Sequence, residues 1–383
     1  MYDVIVIGAR CAGAPTAMLL ARNGYKVLLA DKVSFPRDTV STHYIHQPGV
    51  AKLKKWGVLD SLQRSNCPQI RDVSIFSGPS SLRSLFMNFN AVGDAYCPRR
   101  TILDNILLEA AAQSGAEVRE NFHVKELSQQ DRTVNGILGR SERSNGIREQ
   151  ARIVVGADGV NSIVARTMQA RQYNVSPMRN CYVYAYWSGV NLLGGEIYFR
   201  NGRAATAFPT HDGLACITVV WPTAVANRLR QDLQNNYLKT IKLFPQLHAR
   251  TREGRQEKGM HSTTGRFPNF FRIPYGLGWA LVGDAGYHKD PITALGISDA
   301  FRDAEFLAEA IHKALSGRQS LDRSLAKYEQ RRNEAARPLY EFTLEIDRLG
   351  SSHGQAARDH RGSRSGQGGP LRMEAGSKLY FIS

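Results

Sequence analysis

The stretch DVIVIGARCAG, residues 3–13, decides the fold of this 383-residue chain. Residues 3–7 are a short apolar run rich in β-branched side chains, which is typical of a buried parallel strand. Residues 8–13 form a glycine-containing turn, and the Ala- and Leu-rich residues 14–23 after it predict a helix. Residues 27–30 (VLLA) predict a second buried strand. The chain therefore opens with a strand–helix–strand unit, the usual start of a doubly wound sheet.

The turn after the first strand matches the dinucleotide-binding pattern G-x-G-x-x-G, except that Arg10 replaces the second glycine. Gly8 allows a tight exit from the strand, and Gly13 allows the helix to pack closely on the sheet. The start of the helix then directs free N–H groups towards a pyrophosphate. Asp31 ends the second strand, near the spacing of an acid that binds an adenosine ribose. Arg10 departs from the pattern of NAD enzymes and weakens an NAD interpretation.

Two further motifs occupy the same kind of position, at the point where an apolar strand enters a turn. Residues 155–162 read VGADGVNS, and residues 279–285 read WALVGDA. After the second of these, Pro291 and residues 294–297 (ALGI) precede a long helical pattern. Each motif is weak alone, but their order and their shared strand-to-turn context make the set specific.

The rest of the chain separates into two kinds of region. Residues 72–89 predict two strands, and four β-rich runs between residues 181 and 221 predict an antiparallel sheet. Helical patterns cover residues 101–113, 226–243, 296–315 and 321–347. We therefore predict a discontinuous cofactor domain formed by residues 1–71, 99–176 and 270–348, with a substrate domain formed by residues 72–98 and 177–269. Residues 349–383 are rich in Gly, Ser and Arg, which predicts a disordered tail.

Charge and composition exclude several classes of protein. The net charge is +16, but the basic residues are spread along the chain and no nucleic-acid-binding motif accompanies them. We therefore expect no nucleic-acid partner. No apolar stretch is long enough to cross a bilayer and no signal peptide is evident, so we expect a cytoplasmic protein without an integral membrane segment. The five scattered cysteines indicate neither a disulfide framework, a zinc site nor an adjacent redox pair, and we expect no metal.

The three motifs together carry a family resemblance. The turn at residues 8–13, the Asp158-Gly159 pair and the Gly283-Asp284 pair resemble those of FAD-dependent monooxygenases of the para-hydroxybenzoate hydroxylase type. That superfamily also holds geranylgeranyl reductases and flavin halogenases. The likeness runs from residue 2 to about residue 348. It implies an α/β fold, in which an FAD-binding Rossmann-like domain of the glutathione reductase type carries an inserted antiparallel-sheet substrate domain.

The resemblance also implies a cofactor and the residues that hold it. FAD is the expected cofactor, and NAD(P)H is the expected transient electron donor because no second nucleotide-binding motif follows. In the family, the G-D aspartate bonds the flavin ribityl chain, and the proline and helix start after it lie against the isoalloxazine. An arginine four residues before an aspartate, here Arg100 before Asp104, often touches FAD. The predicted cofactor-binding residues are Gly8, Arg10, Cys11, Ala12, Gly13, Asp31, Arg37, Arg100, Asp158, Gly159, Gly283, Asp284, Pro291, Gly296 and Ile297.

This chain departs from the family before the flavin-facing helix. Relatives often have Gly-Gln-Gly where Ala294, Leu295 and Gly296 stand here. A histidine that often directly follows the G-D-A-A sequence of relatives is displaced by one position, to His288. These departures bear more on the chemistry than on the binding of FAD.

For the reaction, the leading hypothesis is an NAD(P)H-dependent monooxygenase that uses molecular oxygen. It would hydroxylate an aromatic or polyketide-like small molecule through a flavin hydroperoxide, the route that the resemblance implies. Tyr184 and Tyr186 alternate along one strand and would share a face with Tyr182. With His43 and Phe208 they are candidates for substrate contact, although an ordinary half-buried sheet face would show the same alternation. We assign no catalytic residue.

Three alternatives remain open. A reductase of a prenyl lipid, similar to geranylgeranyl reductases, would suit the basic surface, although that family's aromatic-and-proline motif is not recognisable. A flavin halogenase is a second alternative, although the W-x-W-x-I-P motif of tryptophan halogenases is missing from the sequence. The third is a protein without enzymatic activity, either a decayed flavoprotein or a basic nucleic-acid-binding protein.

Overall fold

The opening residues form the predicted strand–helix–strand unit in a computed structural model. The structure describes residues 1–359, except residues 143, 201 and 264–266. Strand β1 (Tyr2–Ile7) leads through the glycine turn into helix α1 (Gly13–Arg22), and strand β2 (Val27–Ala30) follows. Both strands are almost wholly buried, which explains why their residues are apolar throughout instead of alternating with polar ones.

The later strands lie between residues 69 and 288, and the later helices lie between residues 47 and 359. The strands are β3 (Gln69–Ile70), β4 (Asp72–Ser77), β5 (Ser80–Leu85), β6 (Ala95–Tyr96), β7 (Glu117–Arg119), β8 (His123–Gln130), β9 (Thr133–Arg140), β10 (Ile147–Gly156), β11 (Gln172–Ser176), β12 (Asn180–Ser188), β13 (Gly195–Arg200), β14 (Arg203–Pro209), β15 (Ala215–Pro222), β16 (Arg255–Gln256), β17 (His261–Ser262), β18 (Asn269–Arg272), β19 (Tyr275–Gly276), β20 (Trp279–Leu281) and β21 (Tyr287–His288). The helices are α2 (Gln47–Lys55), α3 (Leu59–Arg64), α4 (Arg100–Gln113), α5 (Ile163–Thr167), α6 (Thr223–Arg230), α7 (Leu233–Ile241), α8 (Pro245–Glu253), α9 (Gly296–Leu315) and α10 (Leu321–Asp359). Short 3-10 helices cover His211–Gly213, Gly283–Ala285 and Pro291–Thr293.

One sheet brings the three sequence motifs together. Its strand order is β19-β20-β10-β1-β2-β7, and the pairs from β20 to β7 are parallel. Strands β1, β10 and β20 are adjacent, and each one ends directly before one of the three motifs. Because the carboxyl ends of parallel strands meet at one edge of a sheet, the three turns form one crevice there. The apolar side chains of the sheet are buried on both faces, with α1, α4 and α9 contributing to the core on one of them.

A second sheet has the strand order β16-β12-β15-β14-β13-β4-β5. Its pairs are antiparallel except for β13 and β4, which run parallel. The predicted α/β fold with an antiparallel sheet is therefore confirmed, with one parallel pair inside that sheet. The pairing of β4 with β13 joins residues 72–77 to residues 195–200, as the predicted substrate domain requires, and the domain boundaries themselves stay a prediction.

Two helical predictions need correction. The helix predicted over residues 226–243 is two helices, α6 and α7, which are separated at Gln231 and Asp232. Asp232 takes the N-cap position of α7, a position that aspartate favours over a helix interior.

The last helix, α10, continues to Asp359, so residues 349–359 of the predicted tail are helical. Ala356, Ala357 and Arg358 within that stretch are good helix formers. Residues 360–383 lie outside the described residues, and their disorder stays a prediction. Across the described part of the chain, every helix is too short or too polar to cross a bilayer.

Candidate functional site

Three glycines make the crevice at the end of the first sheet, and none of them has room for a side chain. A Cβ added to Gly8 would lie 2.5 Å from the Ala157 carbonyl oxygen, and one added to Gly13 would lie 1.8 Å from the Gly8 carbonyl oxygen. A Cβ on Gly283 would lie 2.7 Å from the Ala12 Cβ. The glycines at residues 8 and 283 therefore let the first motif pack directly against the other two, and this brings the three turns to one edge of the sheet.

Asp31 connects this turn to the second strand. Its carboxylate accepts hydrogen bonds from the Ala9 N–H at 2.7 Å and from the Val33 N–H at 3.1 Å. These two bonds tie the turn after β1 to the loop after β2. Binding of a ribose by Asp31 stays a prediction.

Arg10 and Arg100 meet on one buried carboxylate, that of Asp104. Arg10 Nη1 lies 2.5 Å from Asp104 Oδ2, and Arg100 donates from Nε and Nη2 to Asp104 Oδ1 at 3.0 and 2.8 Å. The Arg10 guanidinium also lies 5.3 Å from the ring centroid of Phe35. The side chain of Arg10, which replaces the second glycine of the motif, therefore points away from the phosphate turn and towards α4. Asp104 is missing from the predicted site set, although its spacing of four residues from Arg100 is the signal that identifies it.

Cys11 and Arg37 complete the residues predicted around this turn. The Cys11 thiol donates to Asp104 Oδ1 at 3.4 Å, and burial raises its pKa to about 12. Cys11 is therefore a neutral packing residue and not a nucleophile. Arg37 is exposed, and its carbonyl oxygen lies 3.4 Å from Arg10 Nη1. Its backbone is thus close to the end of the Arg10 side chain, and binding of a pyrophosphate by the Arg37 side chain stays a prediction.

The Asp158-Gly159 pair follows β10 and starts a short helix. Asp158 Oδ2 accepts the Ile163 N–H at 2.7 Å, and Gly159 has a φ of +78°, which favours glycine. Asp158 Oδ1 is buried without a well-aligned hydrogen-bond partner among the described residues, with Ser162 as the polar side chain beside the carboxylate, and burial raises the pKa of this carboxyl group. An unsatisfied buried acceptor at the crevice fits a ligand that donates a hydrogen bond, as a cofactor hydroxyl group does.

The loop after Asp284 leads to the start of α9. Asp284 is exposed, whereas Gly283 and Ala285 on either side are buried. Asp290 Oδ1 accepts the Ile292 N–H at 3.0 Å and begins the 3-10 helix at Pro291–Thr293. The first helical bond of α9 joins the Asp299 N–H to the Leu295 carbonyl at 2.9 Å. The N–H groups of the preceding residues, which include Gly296 and Ile297, are thus not used within the helix and can face an anion.

Ala294 stands in this loop in the left-handed conformation, with a φ of +52°. The resemblance places a glycine here, which adopts that conformation without strain. Alanine keeps the loop geometry at a cost of about 1 kcal/mol. The departure at residue 294 therefore preserves the fold of the loop while adding local strain beside the start of α9.

A buried ion network lies under this loop. Lys289 Nζ donates to Asp299 Oδ2, and Arg302 Nη1 lies 2.7 Å from Asp299 Oδ1. Both cations lower the pKa of Asp299 against the opposing effect of burial. The sequence carries no motif for this network, because Lys289 and Asp299 become neighbours only when the loop folds back on α9.

The predicted substrate residues lie together: Tyr184, Tyr186 and Phe208 are on the second sheet, and His43, from the segment between β2 and α2, packs against the two tyrosines. The Tyr186 hydroxyl group lies 3.0 Å from His43 Nε2, and the Tyr184 ring centroid lies 4.9 Å from that of His43. Tyr184 also stacks on His261 at 4.7 Å. Phe208 packs at 4.6 Å against Tyr44. All four predicted residues therefore belong to one buried aromatic cluster, and His261 is an addition that the sequence did not indicate.

Two neighbours of this aromatic cluster contact the turn at Pro291–Thr293: Tyr182, two residues before Tyr184 on β12, and His46, whose ring packs against Tyr44. The Tyr182 hydroxyl group donates to Asp290 Oδ1, the residue that begins the Pro291 turn. His46 Nε2 lies 3.1 Å from the Thr293 carbonyl oxygen at the other end of the same turn. Burial lowers the pKa of His46 to about 4, so that the ring is neutral and donates to this carbonyl. These contacts link the neighbours of the predicted substrate residues to the turn at Pro291–Thr293, and a continuous cofactor and substrate site stays a prediction.

Comparison with known proteins gives consistent matches over nearly the whole chain. The FAD binding domain family matches residues 1–343. A digeranylgeranylglycerophospholipid reductase of Methanosarcina acetivorans is 30% identical over 359 residues, which cover 87% of this chain and 81% of the reductase.

Solved structures match as well. The myxobacterial chondrochloren halogenase CndH superposes with a TM-score of 0.83 at 22% identity, covering 89% of this chain and 81% of the halogenase. PqsL of Pseudomonas aeruginosa, a probable FAD-dependent monooxygenase, superposes with a TM-score of 0.73 at 20% identity, covering 93% of this chain and 98% of PqsL. At these identities the likeness shows a shared fold, and this fold carries more than one chemistry.

Proposed function

Given that the chain belongs to the FAD binding domain family, we propose that it is an NAD(P)H-dependent monooxygenase that hydroxylates an aromatic small molecule. Family membership confirms the predicted superfamily and an FAD-dependent oxidoreductase. The choice of reaction rests on one observation, the buried aromatic cluster of His43, Tyr184 and Tyr186 beside the crevice.

The described residues fit FAD. Gly8, Gly13 and Gly283 let the three motifs pack closely at the edge of the sheet where a pyrophosphate and a ribityl chain would lie, and Asp158 Oδ1 is a buried acceptor there without a well-aligned partner. Asp284, directly after Gly283, is exposed to solvent and free to contact a ligand at the crevice. The N–H groups at the start of α9 that are not used within the helix can stabilise negative charge on a flavin ring beside them. FAD, once reduced, supplies the activation of oxygen. The protein supplies binding, orientation and exclusion of water.

The aromatic cluster suits a flat substrate with a hydroxyl or amino group. The rings of His43, Tyr184 and Tyr186 contact one another edge to face, the arrangement that aromatic rings favour. His43 Nδ1 is buried and lacks a well-aligned hydrogen-bond partner among the described residues, with the Cys216 thiol as the polar group beside the ring. An imidazole held by Tyr186 on its other nitrogen can orient the polar group of an aromatic substrate or accept its proton.

The test begins with the visible spectrum of the purified protein and its change on adding NADPH under air. A panel of phenols and anilines is then incubated with the protein under ¹⁸O-labelled oxygen, and products are analysed by mass spectrometry. We expect one labelled oxygen atom in the product. Tyr186→Phe should lower kcat/KM about tenfold, the effect of losing about 1.4 kcal/mol of transition-state binding. Tyr340→Phe, whose hydroxyl bonds to the Asn174 carbonyl oxygen outside the aromatic cluster, is the matched control.

Two outcomes would contradict the proposal. Reoxidation of the flavin without labelled product from any substrate would remove the monooxygenase assignment. Product that forms only with chloride or bromide would instead indicate a halogenase.

A second candidate is a reductase of a prenyl lipid. It is favoured by the 30% identity to the digeranylgeranylglycerophospholipid reductase and by the net charge of +16, which suits anionic lipids. Reduction of a geranylgeranyl lipid without oxygen, measured by a mass gain of about 2 Da per saturated double bond, would favour this candidate. The same protein would then give no labelled hydroxylated product.

A further inference from the structure

The second sheet carries a continuous row of side chains that runs from the aromatic cluster to the outer edge of the sheet. The row follows the register of neighbouring strands from β12 to β5. Its members, each the register partner of the next, are Tyr184, Thr218, Thr206, Ile197, Ile75 and Leu82. Because register partners on paired strands point to the same face of a sheet, these side chains share one face. We call this set the Tyr184 row.

The exposure of the side chains rises along the Tyr184 row. Tyr184 is 1% exposed, the residues after it are half-buried, and Leu82 on the edge strand β5 is 60% exposed. The opposite face of the same strands is different, because Val183, Val219 and Ala205 there are fully buried in a core to which α7 and α8 contribute. The Tyr184 row is therefore a partly open face that leads from solvent at β5 to the aromatic cluster.

The Tyr184 row is flanked on the same face by two further rows. These are Tyr182, Val220, Ala204, Phe199, Ser77 and Ser80 on one side, and Tyr186, Cys216, Phe208, Gly195, Val73 and Ser84 on the other. Acidic and basic residues are missing from all three rows, whose members the structure describes in full. The opposite face, by contrast, carries Glu196 and Arg83. A charged ligand would lose its hydration on the Tyr184 row without gaining an ion pair, so this face suits an uncharged one.

Apolar packing makes the Tyr184 row continuous with the aromatic cluster. Ile75 and Ile197 both pack against the group that holds Tyr184, Tyr186 and Phe208. The Phe208 ring lies over the neighbouring strand, because a Cβ added to the glycine there, residue 195, would be 2.6 Å from the ring. The ring thus extends the apolar surface of the cluster towards the outer strands of the sheet.

We propose that the Tyr184 row binds the apolar chain of the substrate, so that the substrate is a flat aromatic ring with a long uncharged chain. The ring at Tyr184 rests on the proposed function, whereas the chain site rests on the row itself. Five strand spacings separate Tyr184 from Leu82, and at about 4.8 Å each the row spans about 24 Å. The chain lies along Ile197 and Ile75, and its end reaches solvent at Leu82.

The first measurement is binding without turnover. The full chain loaded with FAD, without NADPH, is titrated with phenol, 4-butylphenol, 4-octylphenol and 4-dodecylphenol in a calorimeter, each below the concentration at which it aggregates. We expect the dissociation constant to fall about tenfold with each added butyl unit, since a half-buried face realises about half of the transfer free energy of a methylene group. A dissociation constant that does not change with chain length would overturn the proposal.

Leu82→Ser and Leu85→Ser form a matched pair that locates the end of the chain. Both leucines are exposed on β5, by 60% and 68%, but Leu85 is the register partner of Asp72 and points to the opposite face. Leu82→Ser should weaken binding of 4-dodecylphenol about threefold and leave phenol unchanged. Leu85→Ser should change neither. Equal losses in the two variants would mean that the chain binds β5 without preference for the Tyr184 row, contrary to the proposal.

Thr206→Val tests the middle of the row with a result that misfolding cannot imitate. The change replaces a half-buried hydroxyl group with a methyl group of similar size. Binding of 4-octylphenol and 4-dodecylphenol should become about threefold tighter, because the chain no longer covers a polar group, and binding of phenol should not change. Unchanged or weaker binding of both long phenols would place the chain elsewhere.

Turnover separates this proposal from the proposed function. If the long phenols bind as expected but give no product labelled with ¹⁸O, the chain site stands and the proposed hydroxylation fails. If phenols are hydroxylated without any effect of chain length on binding, the hydroxylation stands and the chain site fails. Farnesol, whose chain is similar in length to a dodecyl chain but carries no ring, should bind more weakly than 4-dodecylphenol. Tighter binding of farnesol would overturn the assignment of a ring at Tyr184 and favour the prenyl-lipid reductase.

Discussion

Gly283 lies so close to Ala12 that a Cβ on Gly283 would be 2.7 Å from the Ala12 Cβ. The two residues are distant in sequence, and they meet because β20 and β1 both border β10 in the first sheet. Their contact fixes the distance between the start of α1, where a pyrophosphate would bind, and Asp284, where a ribityl chain would bind. Binding of FAD should therefore depend on the absence of a side chain at residue 283.

Gly283→Ala should weaken FAD binding at least tenfold, since it combines a φ of +62° with a clash against Ala12. The dissociation constant can be measured from the flavin fluorescence of the apoprotein titrated with FAD. Gly24→Ala is the matched control, because Gly24 has a φ of +84° and nothing lies within 4 Å of an added Cβ. Equal losses of affinity in the two variants would mean that backbone strain alone, and not the Ala12 contact, accounts for the effect.

Asp104 carries a second prediction, because two arginines and a thiol share its buried carboxylate. Asp104→Asn leaves Arg10 and Arg100 without a neutralising charge, and the free energy of unfolding should fall by about 3 kcal/mol. Urea denaturation of the apoprotein measures this directly. Glu309→Gln is the control, since Glu309 pairs with Lys313 and Arg331 on the surface and should change stability by less than about 1 kcal/mol. If Asp104→Asn lowered the free energy of unfolding only slightly, solvent would have to reach the ion pairs that Asp104 forms with Arg10 and Arg100.

The sequence predicted the part of the site that depends on local geometry. Gly8, Gly13 and Gly283 occupy turns whose backbone tolerates no side chain, so the residue type itself reveals the conformation. The alternation of Tyr184 and Tyr186 predicted their common face for the same reason, because side chains in a strand repeat every two residues.

Residues that meet only through tertiary folding were not predictable in this way. Lys289 and Asp299 come together because a loop folds back on α9, and His261 reaches Tyr184 because β17 pairs with β12. The sequence does not reveal the break between α6 and α7, because apolar residues recur at helical spacing on both sides of Asp232. The helical backbone nevertheless stops before Asp232 and starts again after it.

Ala294 offers a test of strain at the start of α9, the helix that is predicted to face the flavin. Ala294→Gly removes the left-handed alanine and should raise the free energy of unfolding by about 0.5–1 kcal/mol. Ala91→Gly is matched to it, because Ala91 has a φ of +60° in an exposed loop far along the sequence from α9. Both variants should gain stability in urea denaturation, but only Ala294→Gly should shift the absorption maximum or the reduction potential of bound flavin. A shift with Ala91→Gly as well would remove the assignment of residue 294 to the flavin site.

His46 should make the stability of the protein depend on pH. Burial lowers its folded-state pKa to about 4, from an ordinary value of 6.5. Above pH 6.5 the His46 ring is neutral in both the folded and the unfolded protein, so it does not make the free energy of unfolding depend on pH there. Between pH 6.5 and 4 the unfolded state binds a proton that the folded state does not, and stability falls as the pH falls. The loss from pH 7 to pH 5 should be about 2 kcal/mol from this group.

His46→Gln keeps a donor that can reach the Thr293 carbonyl but does not titrate, so its unfolding free energy should fall about 2 kcal/mol less over that pH range. His123→Gln, at an exposed histidine on β8, should follow the unmodified protein. Other acids and histidines titrate over the same range in all three proteins, and only the difference between them isolates His46. If the unfolding free energies of the three proteins changed in parallel with pH, water would have to reach the His46 ring in the folded protein. The turn at Pro291–Thr293 beside this ring would then be open to solvent.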